Sequence, residues 1–144
     1  MTDHYEWFRR TVGQWTSERR YIFNLKTKKP TNLTTEFSIQ PITEGDYDFQ
    51  VIWTGQTNGA MCLKLSGNEL HRDIGYFTSE PTTSLLELID PDTLLMHTTY
   101  DGCRFREEIR LLECDNIRLR QTIGHDLETN KVILVGQYFE ERVS

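Results

Sequence analysis

The sequence predicts an all-β fold: an antiparallel up-and-down β-barrel of about ten short strands, with one short helix at the start. Three observations carry that expectation. Short runs alternate apolar and polar side chains with a period of two along most of the chain. Turn signals separate these runs at regular spacing, among them Glu44-Gly45-Asp46, Asn58-Gly59, Gly67-Asn68, Asp90-Pro91-Asp92-Thr93 and Asp101-Gly102. The hydrophobic fraction of 37% is low for a tight bundle and suits a barrel with a partly polar interior. Closing such a meander also removes its exposed edges.

Taken in order, Asp3 followed by Glu6 resembles a capping box, and Tyr5 to Val12 runs as a helix to its stop at Gly13. In the first strand, WTSERRYIFNL, Trp15, Ser17, Arg19, Tyr21 and Phe23 share one face. Lys26 to Pro30 turns the chain into a second strand, Thr31 to Ile42, and Tyr47, Phe49, Val51 and Trp53 alternate through a third. Asn58-Gly59 predicts a type I′ hairpin, with positive φ at both residues, leading into Ala60 to Ser66. Glu69 to Phe77 is the fifth strand, and the loop Thr78 to Thr82 leads to the sixth, Thr83 to Ile89. Leu94 to Tyr100 is the seventh, and the stretch Cys103 to Thr122 holds the eighth and ninth. The tenth, Val132 to Arg142, places Leu134, Gly136, Tyr138, Glu140 and Arg142 on one face. With no internal repeat, linker or low-complexity segment, residues 1–144 are expected to form a single domain.

Bulk properties narrow the function classes. A net charge of −6 and a pI near 5.2 repel a phosphate backbone, so no nucleic-acid partner is expected. Neither a basic and apolar leader nor a bilayer-length apolar run is present, which predicts no membrane insertion and a cytoplasmic protein, or a stromal one in a plastid. Cys62, Cys103 and Cys114 are odd in number, lack CxxC spacing and read as reduced thiols. The histidines His4, His71, His97 and His125 show no paired ligand spacing, so no metal site is expected.

The segment CRFREEIRLLECDNIRLRQT carries the most charge. With a period of two it yields a row of Arg104, Arg106, Glu108 and Arg110 backed by Phe105, Ile109 and Leu111, then a second row of Arg118 and Arg120 backed by Ile117, Leu119 and Ile123. Guanidinium groups around a carboxylate can bind a dianionic organic ligand through bidentate pairing. The same pattern also describes a solvated face.

Five pieces of the chain resemble, in order and spacing, the S-type phycobiliprotein lyases of the CpcS/CpeS family. They are GQWTSERRYIF, GNELHRDIGYFTSEP, the Tyr100 to Leu111 segment with FREEIRL, RLRQT, and GQYFEER, so the likeness spans about Phe8 to Arg142. The resemblance implies a lipocalin-like barrel of about ten strands. It also implies a lyase that binds a free open-chain tetrapyrrole, a bilin, and joins it by a thioether to a cysteine of an apo-phycobiliprotein subunit. The bilin is then a substrate, and no permanently bound cofactor is implied. Family members are often dimers, so a homodimer is a further expectation.

Motif by motif, the resemblance places chromophore binding on Trp15, Arg19, Trp53, Arg118, Arg120 and Tyr138, and catalysis on Glu108 and Glu140. Between Glu107 and Glu108 the parity of the strand favours Glu108, since Glu107 shares its side with Phe105 and Ile109. The arginines would hold the bilin propionates, the acids would accept pyrrole N–H groups or protonate the chromophore, and the aromatics would stack on it. Where some members have a histidine after the W-x-S-x-R arginine, this chain has Tyr21 and Ile22, a variation closer to the phycoerythrobilin-type members, which favours phycoerythrobilin over phycocyanobilin and phycoerythrin as acceptor. Two other classes remain open on sequence alone: a non-catalytic bilin carrier, and an interaction protein with a solid barrel.

Overall fold

The computed structural model describes residues 3–23, 30–74 and 80–144. A short helix, α1 (Asp3–Arg10), precedes ten strands: β1 (Gly13–Ile22), β2 (Thr31–Pro41), β3 (Phe49–Thr54), β4 (Gly59–Ser66), β5 (Glu69–Arg72), β6 (Thr82–Asp90), β7 (Thr93–Tyr100), β8 (Cys103–Leu112), β9 (Ile117–Asp126) and β10 (Val132–Arg142). Every strand pairs antiparallel with its sequence neighbours, and β1 pairs with β10 to close the barrel. The expected architecture is therefore the observed one. Parts of three expectations, the Lys26–Pro30 turn, the end of the fifth strand and the Thr78–Thr82 loop, lie outside the described residues. Among the described residues no helix is long and apolar enough to cross a membrane.

One turn differs from expectation. Neither Asn58 nor Gly59 has a positive φ; Gly59 opens β4 opposite Trp53, and the connection falls on residues 55–58 instead. Gly59 is needed for space, because a Cβ there would overlap the indole of Trp53 lying across it. Asp101-Gly102, a turn expected from the sequence, does have positive φ at both residues, 51° and 70°, and joins β7 to β8 through the Tyr100–Cys103 pair.

Down the barrel axis the interior falls into three layers, because alternate residues of each strand point inward. At the end carrying α1, Trp7 and Phe8 of the helix pack on Phe49, Leu94, Leu111 and Trp15 in a dense apolar floor. The helix is fastened there by Arg10, which donates to both carboxylate oxygens of Asp115, at 2.6 and 3.0 Å, and to Asp92 at 2.7 Å. Glu6, the acidic member of the expected capping box, accepts two hydrogen bonds from Arg9. Above the floor lies a layer of buried charge, and above that a wall of aromatic side chains.

Candidate functional site

The charged layer is built by four neighbouring strands at the β1–β10–β9–β8 seam. Arg19 comes from β1, Glu140 from β10, Arg118 and Arg120 from β9 and Glu107 from β8. Glu140 has no exposed surface and meets Arg118 Nε at 3.1 Å, Arg120 Nη1 at 3.3 Å and Arg19 Nη2 at 3.9 Å. Arg120 Nη2 donates to Glu107 Oε2 at 2.7 Å, and Thr122 Oγ1 donates to the same oxygen at 3.2 Å. Burial pushes the Glu107 carboxyl up, but Arg120 outweighs it, with help from Arg72 and Arg118, and holds Glu107 below the ordinary carboxylate range. An ionised Glu107 accepts hydrogen bonds and does not supply a proton.

Counting Arg72 from β5, the layer brings four arginines and two glutamates together among the described residues, inside a chain whose net charge is −6. Buried charge on this scale persists only where it is paired or where a ligand completes it.

A cavity of about 240 Å³ sits directly on this layer, toward the end of the barrel remote from α1. Arg19, Arg72, Glu107, Arg120, Thr82, Thr98 and Thr122 supply its polar lining, and Tyr21, Phe23, Trp53, Tyr100, Phe105 and Tyr138 its aromatic walls. The aromatics are ordered against one another: Tyr21 meets Tyr138 edge-on with centroids 5.4 Å apart, and Tyr100 stacks on Phe105 at 4.9 Å. The Arg120 guanidinium lies 4.5 Å from the Tyr138 ring centroid, and that of Arg19 lies 5.3 Å from it. Burial pushes the Tyr138 hydroxyl far up and that of Tyr100 to about 12, so both stay protonated donors at neutral pH.

Four of the residues expected from sequence line this cavity: Arg19, Trp53, Arg120 and Tyr138. Three others sit behind it. Trp15 belongs to the apolar floor, donating its indole N–H to Thr11 O at 2.9 Å and stacking on Phe37. Arg118 lies between those two rings and Glu140, 5.5 Å from the Trp15 centroid and 5.3 Å from that of Phe37. Glu140 orients three arginines without being part of the cavity lining.

Glu108 is a correction. It is Glu107 that lines the cavity, whereas Glu108 lies on the opposite face of β8, in the row of Arg104, Arg106 and Arg110, all three exposed. The two charged rows of the sequence thus belong to opposite sides of the barrel. In β8 the arginines point to solvent and Phe105, Glu107, Ile109 and Leu111 point inward; in β9 the arginines point inward and Leu119 is left 41% exposed. The register shows why, since Ile109 pairs with Arg120 and Leu111 with Arg118, and paired residues share a face. That pairing is the signal that would have selected Glu107. Arg72 was the other omission; it alternates with Leu70 along β5, and both are buried.

Comparison with known proteins then fixes the lineage. Residues 60–143 match the family described as CpeS-like protein. This chain belongs to the CpeS-like family. Among curated relatives of this CpeS-like chain, the Nostoc sp. protein named "Putative phycocyanobilin lyase CpcS 2" is 28% identical, over 96% of this chain and 89% of its own length. The Picosynechococcus sp. protein named "Putative chromophore lyase CpcV" is 27% identical, over 94% of this chain and 79% of its own length. Among solved structures, the S-type phycobiliprotein lyase CPES from Guillardia theta shares the fold with a TM-score of 0.74 at 18% identity, covering 96% of this chain and 92% of that one. A protein of unknown function from the DUF3598 family of Nostoc punctiforme superposes with a TM-score of 0.70 at 16% identity, covering 94% of this chain and 49% of that one.

Proposed function

We propose that this CpeS-like chain is a bilin lyase, which takes up a free open-chain tetrapyrrole and attaches it by a thioether to a cysteine of a phycobiliprotein subunit. The observation that carries this reading is the set of buried arginines lining and underlying an aromatic-walled cavity. An open-chain tetrapyrrole presents the complementary chemistry: two propionates, a conjugated face and a row of pyrrole N–H groups. Arg19 and Arg120 meet a propionate as planar forks. Trp53, Tyr21 and Tyr138 offer surfaces for stacking, and the ionised Glu107 accepts a pyrrole N–H.

In the transfer step the acceptor thiol adds across the exocyclic double bond of ring A. A sulfur–carbon bond forms, the π bond becomes single and the thiol proton ends on the ring, so nothing leaves and no oxidant is consumed. The chain contributes by holding ring A in one place and excluding water from a reactive cargo. Glu140 acts on this reading as a positioning residue, through Arg19, Arg118 and Arg120. Phycoerythrobilin as preferred cargo and apo-phycoerythrin as acceptor rest on the Tyr21-Ile22 variation, and homodimerisation rests on the family resemblance.

The test is to titrate the protein with phycoerythrobilin and with phycocyanobilin, record visible spectra, then add an apo-phycoerythrin subunit and look for chromophore that survives denaturation on it. A red-shifted complex followed by covalent transfer is expected. Binding without transfer to any acceptor subunit would convert the lyase into a carrier, and no spectral change with either bilin would overturn the proposal.

A further inference from the structure

On the wall facing the Glu140 cluster stands a second polar group that neither the resemblance nor the comparisons assign. In the closed strand order β5 lies five strands from β10 in either direction, so Arg72 is diametrically across the barrel from Glu140. Arg72 is 7% exposed and lines the cavity. Its guanidinium is fixed from behind: Nη1 donates to Ser84 Oγ at 2.7 Å, Nη2 contacts Met96 Sδ at 3.5 Å, and Ser84 is in turn hydrogen-bonded to Thr98. Beside it, at the paired position on β6, is Thr82, also 7% exposed and also lining the cavity. The Thr82 hydroxyl is buried without a hydrogen-bond partner, a cost that a ligand oxygen would relieve.

We infer that Arg72 and Thr82 form a second carboxylate-binding subsite, which takes one propionate of the tetrapyrrole while the Arg19–Arg120 side takes the other. The inference rests on the bilin reading above and adds to it a two-point hold from opposite walls. A guanidinium held rigid by Ser84 and a neighbouring hydroxyl without a hydrogen-bond partner form a cradle for one carboxylate. Both propionates belong to the two central rings, so holding them in the charged layer points the terminal rings, ring A among them, toward the end remote from α1.

The experiment measures affinities of wild type, Arg72→Gln and Thr82→Val for phycocyanobilin as the free diacid and as its dimethyl ester, by visible titration. Wild type is expected to prefer the diacid. Arg72→Gln should weaken diacid binding about tenfold or more, the worth of one charge-assisted hydrogen bond, and Thr82→Val less, while neither changes ester binding. Diacid binding unchanged in Arg72→Gln, with Arg120→Gln impaired, would overturn the subsite and leave the bilin reading standing. A parallel loss for diacid and ester would mark Arg72 as structural and overturn it as well. Failure of wild type to bind either form would instead sink the bilin reading on which the inference rests.

Discussion

Arg120 donates to Glu107 at 2.7 Å across the β8–β9 ladder, while the neighbouring acid Glu108 points away from the cavity. The two adjacent glutamates should therefore differ sharply. Glu107→Gln is expected to weaken bilin binding and shift the visible band of the complex, and Glu108→Gln to leave both as in wild type. Equal effects of the two substitutions would remove Glu107 from the site.

The same pair sets an acid dependence. Because the folded-state pKa of Glu107 lies below its ordinary value of 4.5, its stabilisation is complete above that value and is lost as pH falls through the lower folded value. The melting temperature of wild type should thus drop more steeply below about pH 4.5 than that of Glu107→Gln. Parallel pH profiles would show that the pair contributes nothing to stability.

Removing the other acid should be costlier. Glu140 is fully buried among three arginines, and deleting one member of such a group leaves uncompensated charge in the interior. Glu140→Ala is expected to lose about 3–5 kcal/mol in denaturant unfolding. A loss under about 1 kcal/mol would mean that water solvates the arginines instead.

At the base of the barrel, Asp115→Asn should loosen α1 without touching the cavity, because Asp115 holds both arms of Arg10. The Arg10 pair holds the Asp115 carboxyl below its ordinary pKa, as a stabilising partner must. The pair is partly exposed, so the expected cost is about 1 kcal/mol, a fall in melting temperature of roughly 2–4 °C. Bilin affinity should not change, and a loss of affinity would show that the helix shapes the cavity.

Gly59 offers a test of the wall itself. A methyl group at this position would displace the Trp53 indole, so Gly59→Ala should weaken bilin binding and change tryptophan fluorescence while the barrel stays folded. Unaltered binding would take Trp53 out of the ligand contact.

The barrel and most of its interior were legible in the alternation of the strands. In β1 and β10 the rows Trp15 to Phe23 and Leu134 to Arg142 are inward ones, and Arg19 and Tyr138 followed from them. The parity argument failed where a strand departs from apolar-inside: in β9 the buried row is Arg118, Arg120 and Thr122, sustained by glutamates on β8 and β10. Period alone groups residues into faces but does not say which face is interior. The Asn58-Gly59 hairpin misled for a related reason, since that glycine serves the Trp53 ring rather than the turn.

The floor of Trp7, Phe8, Trp15, Phe49 and Leu111 closes the barrel at the end that carries α1, and each of the ten strands is paired on both sides. On the proposed reading, the end remote from α1 serves two kinds of traffic. Free bilin would enter, and the acceptor's cysteine would reach in, from that same end, so the two visits would exclude each other in time. Turnover must then alternate between loading and delivery, and acceptor subunit added in excess before the bilin should slow the reaction it completes.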